Sequence, residues 1–141
     1  MNSIENYLGA ERLRARKLCV GSRLKGFRNK DLFADWWVQQ FKKQEGCCYY
    51  CDVPIETIRA AIDAKLIETR KTGFGVRGPQ LEIDRVDPNA LYSPENCVLA
   101  CYYCNNDKSY IYPADQYRKF FGAARKKHFE FILAEAQAKG L

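Results

Sequence analysis

Only one of the 141 residues is histidine, His128. It falls on the expected apolar stripe of a C-terminal helix, which makes it a packing residue and leaves acid–base chemistry to other groups. No apolar run is long enough to span a bilayer, and none has the layout of a secretory leader. The expectation is therefore a soluble, cytoplasmic protein with no membrane partner. Low-complexity segments are also missing, and the one duplicated element is a cysteine motif. Acid is absent from Arg12 to Lys30, where eight Lys or Arg stand. From Asp52 to Ala100 the balance reverses, with eight acids against six bases. A basic arm beside an acidic centre suits a protein that holds a polyanion and works on it with carboxylates. A solvated basic helix is the plainer reading of the same arm. The net charge of +6, on a chain long enough for one cored domain, agrees with a nucleic-acid partner.

Cysteine is what the chain does have. Four of its seven cysteines form two identical Cys-Tyr-Tyr-Cys motifs, Cys48–Cys51 and Cys101–Cys104. Four thiolates in two bidentate loops match the closed tetrahedral set that structural Zn²⁺ prefers. In a reducing compartment this pattern favours metal over disulfides. Two coincidental pairs in a cysteine-rich core, or a redox motif, are the competing readings; the repeated spacing argues against coincidence. Cys19, Cys47 and Cys97 are left as buried or spare thiols.

In chain order, residues 1–20 carry a helical pattern with Ile4, Leu8, Leu13 and Leu18 as the apolar positions. Gly21 to Lys30 reads as a basic loop or short helices bearing Arg23, Lys25 and Arg28, with Leu24 and Phe27 as anchors. Asn29 or Asp31 can cap a second helix, Leu32 to Glu45, whose stripe is Phe33, Trp36, Trp37, Gln40 and Phe41. A third helix spans Pro54 to Leu66. Arg70 to Gln80 is rich in glycine and base. It is either a flexible turn connection or a loop that lays Arg70, Lys71 and Arg77 along phosphates. A last helix starts at Pro113, with Tyr117, Phe121, Ala124, His128 and Ile132 on its apolar face and a frayed end at Leu141.

The stretch Leu81 to Ser109 carries the chemistry. A short strand ends in Asp84-Arg85, a turn-rich loop follows, and a second strand runs from Asn96 to Ala100. The second cysteine pair and an Asn-Asn-Asp-Lys-Ser helix start come next. A structural Asp84–Arg85 ion pair beside an Asp87-Pro88 turn would explain that dipeptide alone.

Together, Asp84, Asn96 and Cys101-x-x-Cys104-Asn105-x-x-Lys108 resemble the HNH endonuclease family, over Cys48 to Ser109, about half the chain. The resemblance implies an α+β fold: a small ββα-metal core with two zinc knuckles, flanked by N- and C-terminal helices. Residues 1–46 would be the basic helical region, 47–112 the core and 113–141 the last helix, all in one compact domain. It implies Asp84 and Asn105 as ligands of a catalytic Mg²⁺ or Mn²⁺. It makes Asn96 the residue that holds the loop and orients the base, and places Lys108 on phosphate.

Arg85 stands where that family usually has its histidine base. Arginine keeps its proton at neutral pH but can grip phosphate with two hydrogen bonds. Glu82, on the same strand face as Asp84, is the first candidate for the base; water on the ion, Asp87 and Tyr92 follow. The implied activity is cleavage of DNA phosphodiester bonds, with RNA as the other compatible substrate. One site would nick one strand, and a homodimer would cut both. The alternative is a catalytically silent, zinc-stapled nucleic-acid-binding module, to which Arg85 points. A protein-interaction zinc domain ranks third.

Overall fold

The computed structural model describes residues 3–140; Met1, Asn2 and Leu141, the tips of the first and last expected segments, lie outside the described residues. Helix makes up 53% of the chain, and two small antiparallel sheets complete an α+β fold. Helices α1 (Leu8–Leu18), α2 (Lys30–Lys43) and α3 (Ile55–Asp63) come first. Strands β1 (Arg70–Thr72) and β2 (Gly75–Arg77) form a hairpin, and β3 (Leu81–Arg85) pairs with β4 (Cys97–Cys101). Helix α4 (Tyr102–Lys108) follows β4 directly. A final helix begins as α5 (Ala114–Gln116), passes through a π turn at Tyr117–Gly122 and continues as α6 (Ala123–Ala138). Among the described residues no helix is long and apolar enough to cross a membrane. The chain divides into two compact units, Met1–Gly46 with Ile83–Leu99 and Cys47–Glu82 with Ala100–Leu141.

In the first unit α1 packs on α2. Asn29 caps α2 by accepting from the Leu32 backbone at 2.9 Å, which satisfies one of the orphan donors of the first turn. Phe33, Ala34, Trp37 and Phe41 form its buried face, at the helical spacing expected. Phe27 meets Phe33 edge-on, with ring centroids 4.9 Å apart, so the loop before α2 is anchored by aromatic contact.

The buried face of α1 is not its leucine stripe. Leu13 is 57% exposed, and Glu11, Ala15 and the following Cys19 are buried instead. The reason is Trp37, whose indole N–H needs an acceptor once buried. Glu11 supplies it at 3.2 Å and turns the helix to that side. Gln44 closes one edge of β4: its amide donates to Leu99 O at 2.7 Å and accepts from Leu99 N at 3.0 Å. One side chain thus pairs with the strand as another strand would.

In the second unit Ile55, Ile58 and Ala61 form the buried stripe of α3, which packs on α6. The final helix buries Tyr117, Gly122, Phe129 and Ala136, whereas Phe121, Ala124 and His128 are exposed. The π turn explains the difference. It contains one residue more than a regular turn, so every later position on the buried face moves on by one: Phe121 to Gly122, His128 to Phe129. His128 therefore faces solvent and is not the packing residue its spacing suggested. Gly122 lies against the backbone of Tyr50, where a Cβ would come within 2.0 Å of the carbonyl oxygen. The Tyr50 and Tyr117 rings meet edge-on at 5.4 Å beside it.

That close approach separates two glycines that look alike in sequence. Gly122→Ala is expected to cost at least about 2 kcal/mol, because backbone must move to admit the methyl group. Gly9→Ala in α1, where a Cβ meets nothing within 4 Å, is expected to be neutral or stabilising by about 0.5–1 kcal/mol. Urea denaturation of the two variants measures both.

Candidate metal centre and the residues around it

Each cysteine pair is shaped by its own backbone. In the first, Cys48 N donates to Val53 O at 3.0 Å and Asp52 N donates to Cys48 O at 2.9 Å, with Asp52 in the left-handed conformation (φ 58°). The Tyr50 amide points at Cys48 Sγ, 3.4 Å away. In the second, Cys101 ends β4 and also caps α4, its sulfur accepting from the Cys104 amide at 3.4 Å. The helix thus begins at the knuckle, and Asn105 to Lys108 is its last turn rather than its start. The Cys101 cap accounts for this, since it meets an orphan donor of the first turn four residues earlier than expected.

The four sulfurs of Cys48, Cys51, Cys101 and Cys104 lie within 4.8 Å of one another, and all four residues are buried. Tetrahedral thiolates at the usual Zn–S length of about 2.3 Å stand roughly 3.8 Å apart, so this cluster is the right size for one ion. Its electrostatics point the same way. Burial works against ionising Cys48, but hydrogen bonds from Cys101, Cys104 and Cys51 outweigh it and hold that thiol well below its ordinary range. The hydrogen bonds that Cys101 makes to Cys104, Cys48 and Cys51, together with burial, push Cys101 far up. Cys104 gains from Cys101 but loses more to Cys48, Cys51 and burial, and also rises. One thiolate forms readily, and further negative charge is resisted unless a cation enters. The four cysteines can hold a metal ion such as zinc.

No family model, curated protein or solved structure matches this chain.

The remaining candidate residues fall into local clusters. In the second unit Glu82 accepts from Arg77 with both oxygens, Nε to Oε2 at 2.9 Å and Nη2 to Oε1 at 2.6 Å. Asn105 Nδ2 also donates to Glu82 Oε1, at 2.9 Å. Glu82, expected as a base, is thus a carboxylate with both oxygens engaged. Asn105 is fixed with its N–H₂ toward Glu82, which leaves its amide oxygen as the atom suited to a metal. The Arg77 guanidinium lies over the Tyr102 ring, 4.6 Å from its centroid. Arg70 and Lys71 are exposed on β1. Lys108, expected on phosphate, is fully buried, with Nζ 3.4 Å from Ser109 O and 5.5 Å from the Tyr50 ring centroid.

In the first unit the loop after β3 is pinned by Asn96. Its Oδ1 accepts from Asp87 N at 2.9 Å, and its Nδ2 donates to Asp87 O at 2.9 Å and Leu91 O at 3.0 Å. Asp87 caps its own turn by accepting from Asn89 N. Asp84 is buried. Arg85 donates to Ala90 O at 3.3 Å and lies over the Tyr92 ring at 4.7 Å, a ring that Arg23 also approaches at 5.7 Å. Lys25 and Arg28 are exposed. Tyr92 as a seat for two guanidiniums was hidden in the sequence, because nothing in the spacing joins residues 23, 85 and 92.

Two expectations follow. Purified protein should carry one tightly held divalent ion per chain by plasma mass spectrometry. Cys104→Ser should lose it and about 3 kcal/mol or more of stability. Cys97 gives a pH dependence. Burial, opposed by a hydrogen bond from the Ser93 backbone, pushes its thiol from 9.0 up to about 11. The folded state holds that proton more tightly than the unfolded state does. Stability from this group is therefore complete below about pH 9 and declines between pH 9 and about 11. Cys97→Ala should flatten that part of the stability–pH curve.

Proposed function

We propose that the protein is a metal-dependent endonuclease of the HNH type, hydrolysing DNA phosphodiester bonds, with Zn²⁺ in the four-cysteine centre as its structural staple. The observation that carries this reading is the order of elements around that centre. Strand β3, a loop pinned by Asn96, strand β4 and helix α4 follow one another, and α4 is capped by a cysteine of the cluster. The strand–loop–strand–helix order and the Asp84, Asn96, Asn105 set support the resemblance drawn from the sequence.

In this reading Asp84 and Asn105 supply hard oxygen donors to Mg²⁺ or Mn²⁺. When bound, such an ion supplies Lewis-acid charge to a phosphate oxygen and to the leaving 3′ oxygen. Glu82 has a different part from the base first assigned to it. It holds the Asn105 amide in one orientation, and Arg77 in turn holds Glu82, so Glu82 is a positioning residue. Arg85, always protonated, binds substrate phosphate and stabilises charge in the transition state. Arg23, Lys25 and Arg28 with Arg70 and Lys71 bind the nucleic-acid backbone, which makes affinity fall steeply with salt.

A second reading has its own observation. Arg85 is already engaged with Ala90 O and the Tyr92 ring, and Glu82 with Arg77. A chain with those contacts and no histidine at that place would serve as a catalytically silent, zinc-stapled module that binds nucleic acid. Cleavage of supercoiled plasmid with added Mg²⁺ or Mn²⁺ separates the two. The nuclease reading expects nicking by the wild type, loss of about 10²-fold or more in Asp84→Ala and Asn105→Ala, and a smaller loss in Glu82→Gln. Binding that persists in wild type without any nicking would establish the silent module instead.

A further inference from the structure

The β1–β2 hairpin ends in a feature that neither the metal centre nor the cleavage chemistry uses. Its register pairs Arg70 with Arg77, Lys71 with Val76 and Thr72 with Gly75, so Gly73 and Phe74 form the two-residue tip. Phe74 is fully exposed, and Val76 is half-exposed behind it. The tip is locally fixed. Thr72 Oγ1 accepts from Phe74 N at 3.2 Å and donates to Gly75 O at 2.9 Å. Gly75 takes φ 125°, a conformation barred to side chains with a Cβ. The base of the hairpin is fixed as well, through Arg77 on Glu82 and on the Tyr102 ring.

A phenylalanine held out in water by a rigid turn gains nothing from folding. Its neighbours indicate what it meets. Arg70 and Arg77 face each other across the ribbon, an arrangement that is destabilising unless the charge is met. Glu82 meets it for Arg77. Arg70 and Lys71 are exposed and have no carboxylate partner among the described residues. The hairpin therefore presents an apolar tip flanked by two cations available to phosphate. This is the layout of a side chain that wedges between stacked bases while its neighbours hold the backbone on either side.

We propose that the β1–β2 hairpin enters the minor groove of duplex DNA, with Arg70 and Lys71 on phosphates and Phe74 inserted at a base step that it unstacks. The inference rests on the nucleic-acid half of the function proposed above and is independent of cleavage. Prior fixation of the tip keeps the ordering cost of insertion low. Unstacking also makes flexible pyrimidine–purine steps the preferred sites, giving sequence preference without hydrogen bonds to base edges.

The test uses the full metal-loaded chain without added Mg²⁺ or Mn²⁺, and duplex DNA carrying 2-aminopurine at TA steps. Wild type should bind and raise 2-aminopurine fluorescence as the base unstacks. Phe74→Ala should abolish the rise while affinity falls by about tenfold or less. Phe74→Leu, which keeps an apolar wedge, should restore part of the rise. Arg70→Ala and Lys71→Ala should each lower the salt slope by about one and leave the rise at saturation in place. A rise and an affinity that are unchanged in Phe74→Ala overturn the wedge while leaving DNA binding standing. Failure of wild type to bind the duplex at low salt overturns the wedge and the nucleic-acid reading together. Binding with a full rise but no plasmid nicking in the earlier assay supports the wedge and removes only the nuclease.

Discussion

Four buried sulfurs gathered within 4.8 Å of one another are the constraint on which the second unit depends. The cluster sets the end of β4, the start of α4 and the turn before α3, because its cysteines also serve as backbone acceptors in those places. Tyr50, inside the first pair, is the surface against which Gly122 and Tyr117 of the last helix settle. Arg125 adds to the arrangement from that same helix. Burial works against its charge, but Cys104 and Tyr117 nearby more than offset this and keep it protonated. A positive group is thereby held beside the four cysteines that could hold a metal ion, in the way that outer neighbours tune ligands in metal sites.

What could be read from the sequence had local causes. The cysteine pairs were legible because a bidentate thiolate loop needs one fixed spacing. The Asn29 cap and the α2 stripe were legible because capping and helical period act within a few residues. What sequence spacing did not show were partners far along the chain. The leucines of α1 gave way to Glu11 and Ala15 because Trp37, 26 residues on, required a buried acceptor. The Lys108 side chain is buried beside the Tyr50 ring, a neighbour that sequence spacing does not show. Glu82 looked like a base on strand period alone, while Arg77 and Asn105, which occupy it, come from a hairpin and a helix.

The basic arm also changes meaning once its neighbours are known. Arg12 pairs with Asp35 and Arg16 with Asp31, so two of its eight cations are matched by α2 rather than offered to a ligand. Exposed pairs of this kind contribute at most about 1 kcal/mol each, but they do determine which charges remain for phosphate. Lys25, Arg28 and Lys30 remain exposed at the end of the arm, where chain direction changes ahead of α2. The charge of the sequence thus overstates the number of counterions a bound polyanion would release.

The π turn at Tyr117–Gly122 holds one residue more than a regular helix would in the same place. Removing one residue between Tyr117 and Gly122 would put Gly122 and Phe129 at the spacings of one face of a regular α-helix. Tyr117, Gly122, Phe129 and Ala136 would stay on the buried side. Closing the wide turn at the present chain length would instead rotate everything downstream by about 100° and carry His128 toward the side that Phe129 holds. The extra residue is thus absorbed where it stands, and the rest of the helix packs as a shorter, unbroken one would.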